Sequence, residues 1–190
     1  MTMPVSILEK KAVRSQAMPI SVELYHELGR TGKISEKTEL LEGAVIEKMP
    51  KDPLHASVVT RMATHLLREL ENRFIIRQEN PLTFSDSEPE PDLAVVDRRD
   101  DWYRGAHPSL AHLVVEVSNT TLDLDREKAF VYAKAGIPEY WIVNIKDMTV
   151  EGHTGPGPAG YGSKTIFGKN EAIVPGFLSG LRFILAEFVE

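Results

Sequence analysis

The sequence predicts an α/β (α+β) fold: a mixed central β-sheet flanked by helices, with extra strands at the C-terminal end. Three observations predict it. Short apolar runs at 92–96 (DLAVV), 113–117 (LVVEV) and 140–145 (YWIVNI) have the length and β-branched content of buried strands. Val58, Val59, Met62, Leu66, Leu67 and Leu70 recur at helical spacing. A helical stretch that stops at Gly136, with Pro138 beyond it, separates the second and third runs and makes a parallel β-α-β crossover.

Taken in order, Ser21 caps a short helix running to about Leu28. The segment 39–49 alternates, with Leu41, Ala44 and Ile46 among Glu42, Glu47 and Lys48. It reads as a strand, or as a hairpin turning near Gly43. Pro53 opens the long helix at its first turn, and the helix runs through Arg73. The segment 74–84, rich in Ile, Thr and Phe, is the next strand. The strands at 92–96 and 113–117 follow, and Asp123 or Asp125 starts the crossover helix. Beyond Ile145, shorter strands fall near Val150, Thr165 and Leu181. The glycine- and proline-rich stretch 152–163 reads as a long exposed turn. A chain of 190 residues suits one domain, placed at 20–190, with residues 1–19 as a loosely docked arm.

Composition narrows the function. Hydrophobic residues make up 42%, enough for one core. The absence of cysteine excludes a disulfide framework, a thiolate zinc site and a cysteine nucleophile, and it fits a cytoplasmic setting. No apolar run reaches the roughly 20 residues of a membrane helix, and residues 1–19 lack the apolar centre of a secretory signal. A net charge of −6 argues against a general nucleic-acid-coating role. An enzyme that meets DNA through one local patch is compatible with it. HExxH, GxSxG and Walker-type motifs are missing. His107, His112 and His153 show no metal-ligand spacing to one another.

Two carboxylates stand out by position. Asp92 opens an apolar strand, and Glu116 lies inside another between Val115 and Val117. A glutamate in a buried strand is costly unless paired, and a divalent metal or a neighbouring cation would pair it. Asp92 alone is also compatible with a Pro-Asp turn. Lys128 follows in the next helix, with Asp125 three residues before it and Tyr132 four after. Spacing alone favours a surface lysine paired with Asp125; the same placement would let Lys128 swing back over the strand end. Glu42, near Glu39 and Glu47, is either an exposed strand carboxylate or a further acid of the same site. His55 is a helix cap, a packed polar group or a member of the site. Trp102 and Tyr103, in the polar RRDDWYRG loop, would touch a partner, a substrate or the protein's own surface.

The residues Glu90-Pro91-Asp92-Leu93, the run LVVEVSN ending at Asn119, and DREKAFVYAKAGIPEYWIV from Asp125 to Val143 resemble the Uma-type family of endonucleases, in the PD-(D/E)xK superfamily. Glu39-Leu40-Leu41-Glu42-Gly43, with His55 downstream, is similar to its opening. The resemblance runs from about Ile20 to the C-terminal end. It implies a restriction-endonuclease-like core with Asp92 and Glu116 as metal ligands. The superfamily lysine stands two residues after the second acid, where this chain has Ser118; the resemblance moves the role to Lys128.

The implied activity is hydrolysis of DNA phosphodiester bonds assisted by Mg²⁺, with Mn²⁺ as a substitute. Asp92, Glu116 and the Val117 carbonyl would hold the ion, and Lys128 would orient the attacking water or stabilise charge on the phosphate. Glu42 would serve a second ion or a bound water, with His55, Gln78, Asp125 and Tyr132 in supporting roles. A homodimer is expected, since a two-fold pair can cut both strands of a duplex. The rivals are a DNA-binding or assembly module that keeps the fold without useful catalysis, and an RNA-directed or structure-specific nuclease.

Overall fold

The computed structural model describes residues 11–14, 16–70 and 72–189. Much of the arm expected at 1–19 lies outside the described residues. The chain begins with α1 (Lys11–Arg14), α2 (Val22–Arg30), the pair β1 (Thr38–Leu41) and β2 (Ala44–Glu47), and the long α3 (Pro53–Leu70). Then come β3 (Phe74–Gln78), β4 (Leu93–Asp97), β5 (Leu113–Ser118), α4 (Leu122–Lys134) and β6 (Glu139–Asn144). The last elements are β7 (Thr149–Gly157), β8 (Gly160–Gly168), β9 (Ala172–Ile173), β10 (Phe183–Ile184) and α5 (Ala186–Val189).

Six strands form one mixed sheet in the order β3-β4-β5-β6-β7-β8. β5 and β6 are parallel, while the other neighbours are antiparallel. α4 carries the chain between the parallel pair, which a hairpin could not join. All six residues of β5 and of β6 are buried, as expected for strands covered on both faces.

Strand alternation sorts the core into two layers. Leu93, Val95, Leu113, Val115, Val117, Trp141 and Val143 face α3 and meet Val59, Met62, Leu66 and Leu70. Ala94, Val96, Val114, Tyr140 and Ile142 face α4 and meet Ala129 and Tyr132. By the same alternation Asp92 and Glu116 fall on the α4 side. Two polar groups are thereby held against the helix that carries Lys128.

Several boundaries differ from those expected. The alternating segment 39–49 is a hairpin, with Glu42 and Gly43 both at positive φ, 49° and 77°, as a tight primed turn requires. α3 stops at Leu70, three residues early, and Asn72 takes a left-handed conformation just past its end. β3 ends at Gln78, not at 84, because the chain folds back on itself. There Leu82 N–H donates to the Pro89 carbonyl and Phe84 N–H to that of Ser87.

The largest correction concerns 152–163, expected as an exposed turn. It forms most of the β7–β8 hairpin, and only residues 158 and 159 are left to turn. Sheet pairing overrides the local preference of its glycines and prolines. Gly152 has a packing reason to be there: a Cβ would meet Ile173 Cδ1 and Phe167 Cε2, both at 3.2 Å.

Leu66 is fully buried between α3 and the sheet. Leu66→Ala is expected to cost about 2–5 kcal/mol. A urea titration would read this as a lower midpoint at unchanged slope.

Candidate active site

Side chains from β1, β5, α4 and the residues leading into α3 and β4 converge at one end of the sheet. Asp92 and Glu116 fix each other through backbone donors. Asp92 N–H donates to Glu116 Oε2 at 3.2 Å, and Val117 N–H donates to Asp92 Oδ2 at 2.7 Å. Lys128 Nζ reaches Glu116 Oε1 at 3.0 Å and Glu39 Oε1 at 2.8 Å. One helical turn on, Tyr132 OH donates to the same Glu116 Oε1 at 3.0 Å. Asp125, also buried, accepts from Thr121 Oγ1 at 2.7 Å, and its carbonyl accepts from Tyr140 OH at 2.8 Å.

The opposite wall comes from the residues around the start of α3. His55 Nε2 lies 3.0 Å from Asp92 Oδ2, while Lys51 Nζ is 3.0 Å from Asp92 Oδ1 and 3.0 Å from Glu79 Oε1. Asp52 accepts from the His55 N–H at 3.0 Å and from Asn119 Nδ2 at 2.6 Å. This carboxylate caps the start of α3 and ties it to the loop after β5. Between the walls is a narrow open cleft of about 80 Å³. Six carboxylates line it, those of Glu39, Asp52, Glu90, Asp92, Glu116 and Asp125, against three ammonium groups, those of Lys48, Lys51 and Lys128.

Burial and this crowding perturb the acids in opposite directions. Burial pushes the Glu116 carboxyl up to about 8; Lys128 opposes the rise, and Asp92 and Asp125 add to it. Burial acts on Asp92 as well, yet the His55 hydrogen bond and charge, Lys51 and the Val117 N–H outweigh it and hold Asp92 low. Asp125 is raised by burial despite its bond from Thr121. Burial disfavours the charged form of Lys128, but Glu116 and Glu39 overcome it and hold Lys128 firmly as an ammonium ion. Lys51 is raised in the same way, by Asp92 and Glu79 against partial burial.

The structure brings together Asp92, Glu116, Lys128, Val117, His55, Asp125 and Tyr132. Two expected members are elsewhere. Glu42 is exposed in the β1–β2 turn, and its carboxylate pairs with Lys134 at 2.9 Å. The acid that β1 contributes is Glu39, three residues earlier, whose side chain is 2% exposed. Gln78 is exposed at the end of β3, outside the cleft lining. Lys128 is not the surface lysine that spacing alone favours; it is buried between two carboxylates. Sequence reasoning also missed Lys51 and Asp52. The signal was present in Asp52-Pro53, a capping acid before a first-turn proline, which fixes the chain entering α3.

The donor set suits a divalent cation. Asp92, Glu116 and a nearby carbonyl offer hard oxygen donors, and the surplus of carboxylates leaves positive charge wanting. Among the described residues no three or more His, Asp or Glu side chains group as a metal cluster. The set at issue is smaller, two side chains and one carbonyl.

The Glu116 shift has a sign that can be checked in metal-free protein. Below its ordinary value of 4.5 the group is protonated folded or unfolded. Between 4.5 and about 8 the unfolded chain releases the proton and the folded chain keeps it. Stability from this group therefore falls as pH rises through that window, then levels off. Glu116→Gln should flatten this slope in urea titrations run across the window with EDTA; parallel slopes would show that Glu116 carries no such proton.

Residues 22–186 match the sequence model of the Uma2 family, whose description is "Putative restriction endonuclease". No curated protein matches the chain. Among solved structures, one similar to this chain is described as a putative nuclease belonging to DUF820 from Anabaena variabilis ATCC 29413. It superposes with a TM-score of 0.72 at 17% identity, covering 90% of this chain and 98% of that one. At that identity the likeness speaks for the fold, and it is the nuclease fold the sequence predicts. With the family model spanning α2 to the start of α5, the chain belongs to the Uma2 family of restriction-endonuclease-like nucleases.

Proposed function

We propose that this chain is a magnesium-dependent endonuclease that hydrolyses phosphodiester bonds of DNA, with Mn²⁺ able to substitute. The observation that carries the reading is the charge of the cleft. Six carboxyl groups face three ammonium groups, and with Glu116 holding its proton the charged acids still outnumber the cations; Asp92, leading into β4, and Glu116, on β5, are fixed side by side. A phosphate entering it meets net negative charge, so cleavage there needs a cation. Asp92, Glu116 and the Val117 carbonyl would hold Mg²⁺, which prefers such oxygens. Bound there, the ion supplies charge stabilisation at the phosphate and a lowered pKa for an attacking water.

The chain's own groups do the rest. Lys128 remains an ammonium and offers Nζ–H donors to the attacking water or to the charge developing on the phosphorane-like transition state. Tyr132 fixes the Glu116 carboxylate from behind. His55 orients Asp92, and Asp52 orients the backbone of His55. Glu39 holds Lys128 and adds a buried acid to Asp92, Glu116 and Asp125. Two copies related by a two-fold axis would deliver two such clefts to the two strands of a duplex.

Calorimetric titration with Mg²⁺ and Mn²⁺, alongside cleavage of supercoiled plasmid, tests the reading. Wild type should bind either ion and nick the plasmid only when one is present. Asp92→Asn should lose both binding and cleavage. Glu39→Gln should keep ion binding and lose cleavage by about 10²-fold, through displaced Lys128. Cleavage that survives in EDTA, or in purified Asp92→Asn, would sink it.

A further inference from the structure

A second pocket lies away from the cleft, where the loop between β4 and β5 packs beside α2. It encloses about 460 Å³, within the range of small-ligand sites. Tyr103, Arg104, His107, His26 and Thr83 line it, together with the backbone of Gly105 and Ala106. No carboxylate lines it, in contrast to the six of the cleft. The carboxylate beneath, Glu88, is buried and engaged by His26 Nε2 at 2.7 Å and by Thr83. Arg104 is the guanidinium that lines it.

Residues 97–104 beside the pocket carry three arginines, three aspartates and two aromatic rings. The Arg98 guanidinium lies 5.3 Å from the Trp102 ring centre. Those of Arg99 and Arg77 lie 4.9 and 5.8 Å from that of Tyr103. Arg77 Nη2 also reaches His107 Nδ1 at 2.9 Å. Asp97, at the end of β4, and Asp101 are engaged by His112 and Arg99, at 2.7 and 2.9 Å, and Asp100 between them is exposed. Trp102 and Tyr103 stand consecutively at positive φ, 52° and 59°. For bulky L-residues this costs on the order of 1–3 kcal/mol each. The strain leaves Trp102 58% exposed, so folding alone gains little from it. An exposed ring beside one guanidinium, next to a pocket that no carboxylate lines, matches the chemistry of a nucleotide: a π-face and a phosphate.

We propose that this loop and pocket are a second nucleic-acid contact, taking an unpaired nucleotide with its phosphate on Arg104 and His107 and its base on the Trp102 and Tyr103 rings. The loop leaves β4 at the end opposite Asp92, a strand of five residues or roughly 17 Å. That is about five nucleotides at the ~3.4 Å rise of one strand. The substrate class this implies is DNA with a single-stranded segment several nucleotides from the cut. The inference rests on the nuclease reading for that cut, but its own site uses none of the cleft residues.

The chain has two tryptophans, and Trp141 is fully buried, so a change in emission on adding nucleic acid reports on Trp102. The experiment titrates full-length protein in EDTA with oligothymidylate, with the same strand in duplex form, and with thymidine monophosphate. The oligomer should quench the emission, and the duplex should do so only at much higher concentration. By fluorescence anisotropy of labelled oligomer, Trp102→Ala and Arg104→Ala should each bind about ten-fold more weakly. Both residues are exposed, so neither substitution threatens the core. No quenching, or wild-type affinity in both variants, would overturn the proposal. Quenching by the monophosphate at the oligomer's own concentration would overturn the strand as ligand. Binding needs no metal, so failure of the nuclease reading leaves this result standing. Failure here leaves metal-dependent nicking untouched.

Discussion

The site hangs on one buried ammonium group. Lys128 Nζ sits between Glu39 on β1 and Glu116 on β5, at 2.8 and 3.0 Å, all three side chains nearly sealed from water. Burying such a trio is expensive, and apolar residues of the same volume would often be as stable or more so. Its geometric effect is to bind three elements that share little apolar contact at that point: the β1–β2 hairpin, the central sheet and α4. Remove the ammonium and two carboxylates face each other in a dry interior, with Asp92 close by. The position of Glu116, and through the Val117 N–H that of Asp92, follows from this contact.

The cleft therefore has two unlike walls. The α4 wall is rigid: Glu116 is held by Lys128, Tyr132 and a backbone amide, and Tyr132 packs against Tyr140 with ring centres 4.8 Å apart. The α3 wall is softer. Lys51 is about a third exposed and shared between Asp92 and Glu79. His55 keeps one ring nitrogen buried with no hydrogen-bond partner among the described residues. Buried polar groups are nearly always paired, so this nitrogen is a place for a further hydrogen bond. The fixed wall supplies geometry, and the adjustable one supplies charge that can be redistributed when a ligand enters.

Much of this was legible in the sequence, for identifiable reasons. The buried strands announced themselves because β5 and β6 are covered on both faces, which leaves no polar alternation to confuse them with anything else. Asp92 and Glu116 stood out because a carboxylate is conspicuous in such runs. Glu39 did not, because β1 lies outside the main sheet and is buried by α4 and the β4 lead-in, contacts made far along the chain. Counting alternation within 39–49 could not tell which acid pointed inward; the turn at Glu42 and Gly43 decides that, placing Glu42 outside. Lys128 was ambiguous for the same reason. Helical spacing ties it to Asp125, but what it meets is set by tertiary packing. The hairpin across 152–163 was hidden because pairing with a neighbouring strand overrides what glycine and proline favour locally.

Charge is distributed unevenly, and that bears on how an acidic chain can engage a polyanion. A net charge of −6 gives no general attraction to a phosphate backbone, and long-range steering would oppose approach. Contact must then come from short-range features able to offset that repulsion. The two pockets differ in the way this requires. The cleft gathers carboxylates from β1, β5, α4 and the segments leading into α3 and β4, an arrangement that on the proposed reading suits catalysis only with a cation between it and the phosphate. No carboxylate lines the loop pocket, and the loop beside it sets guanidinium groups on aromatic faces, which attract at contact distance. A pocket lined by Arg104 and no carboxylate, apart from the acid-rich cleft, is how the proposed contact would fit an acidic composition. On the proposed reading the same separation would make binding and cleavage respond to different reagents, salt and competing strands for one, divalent ion for the other.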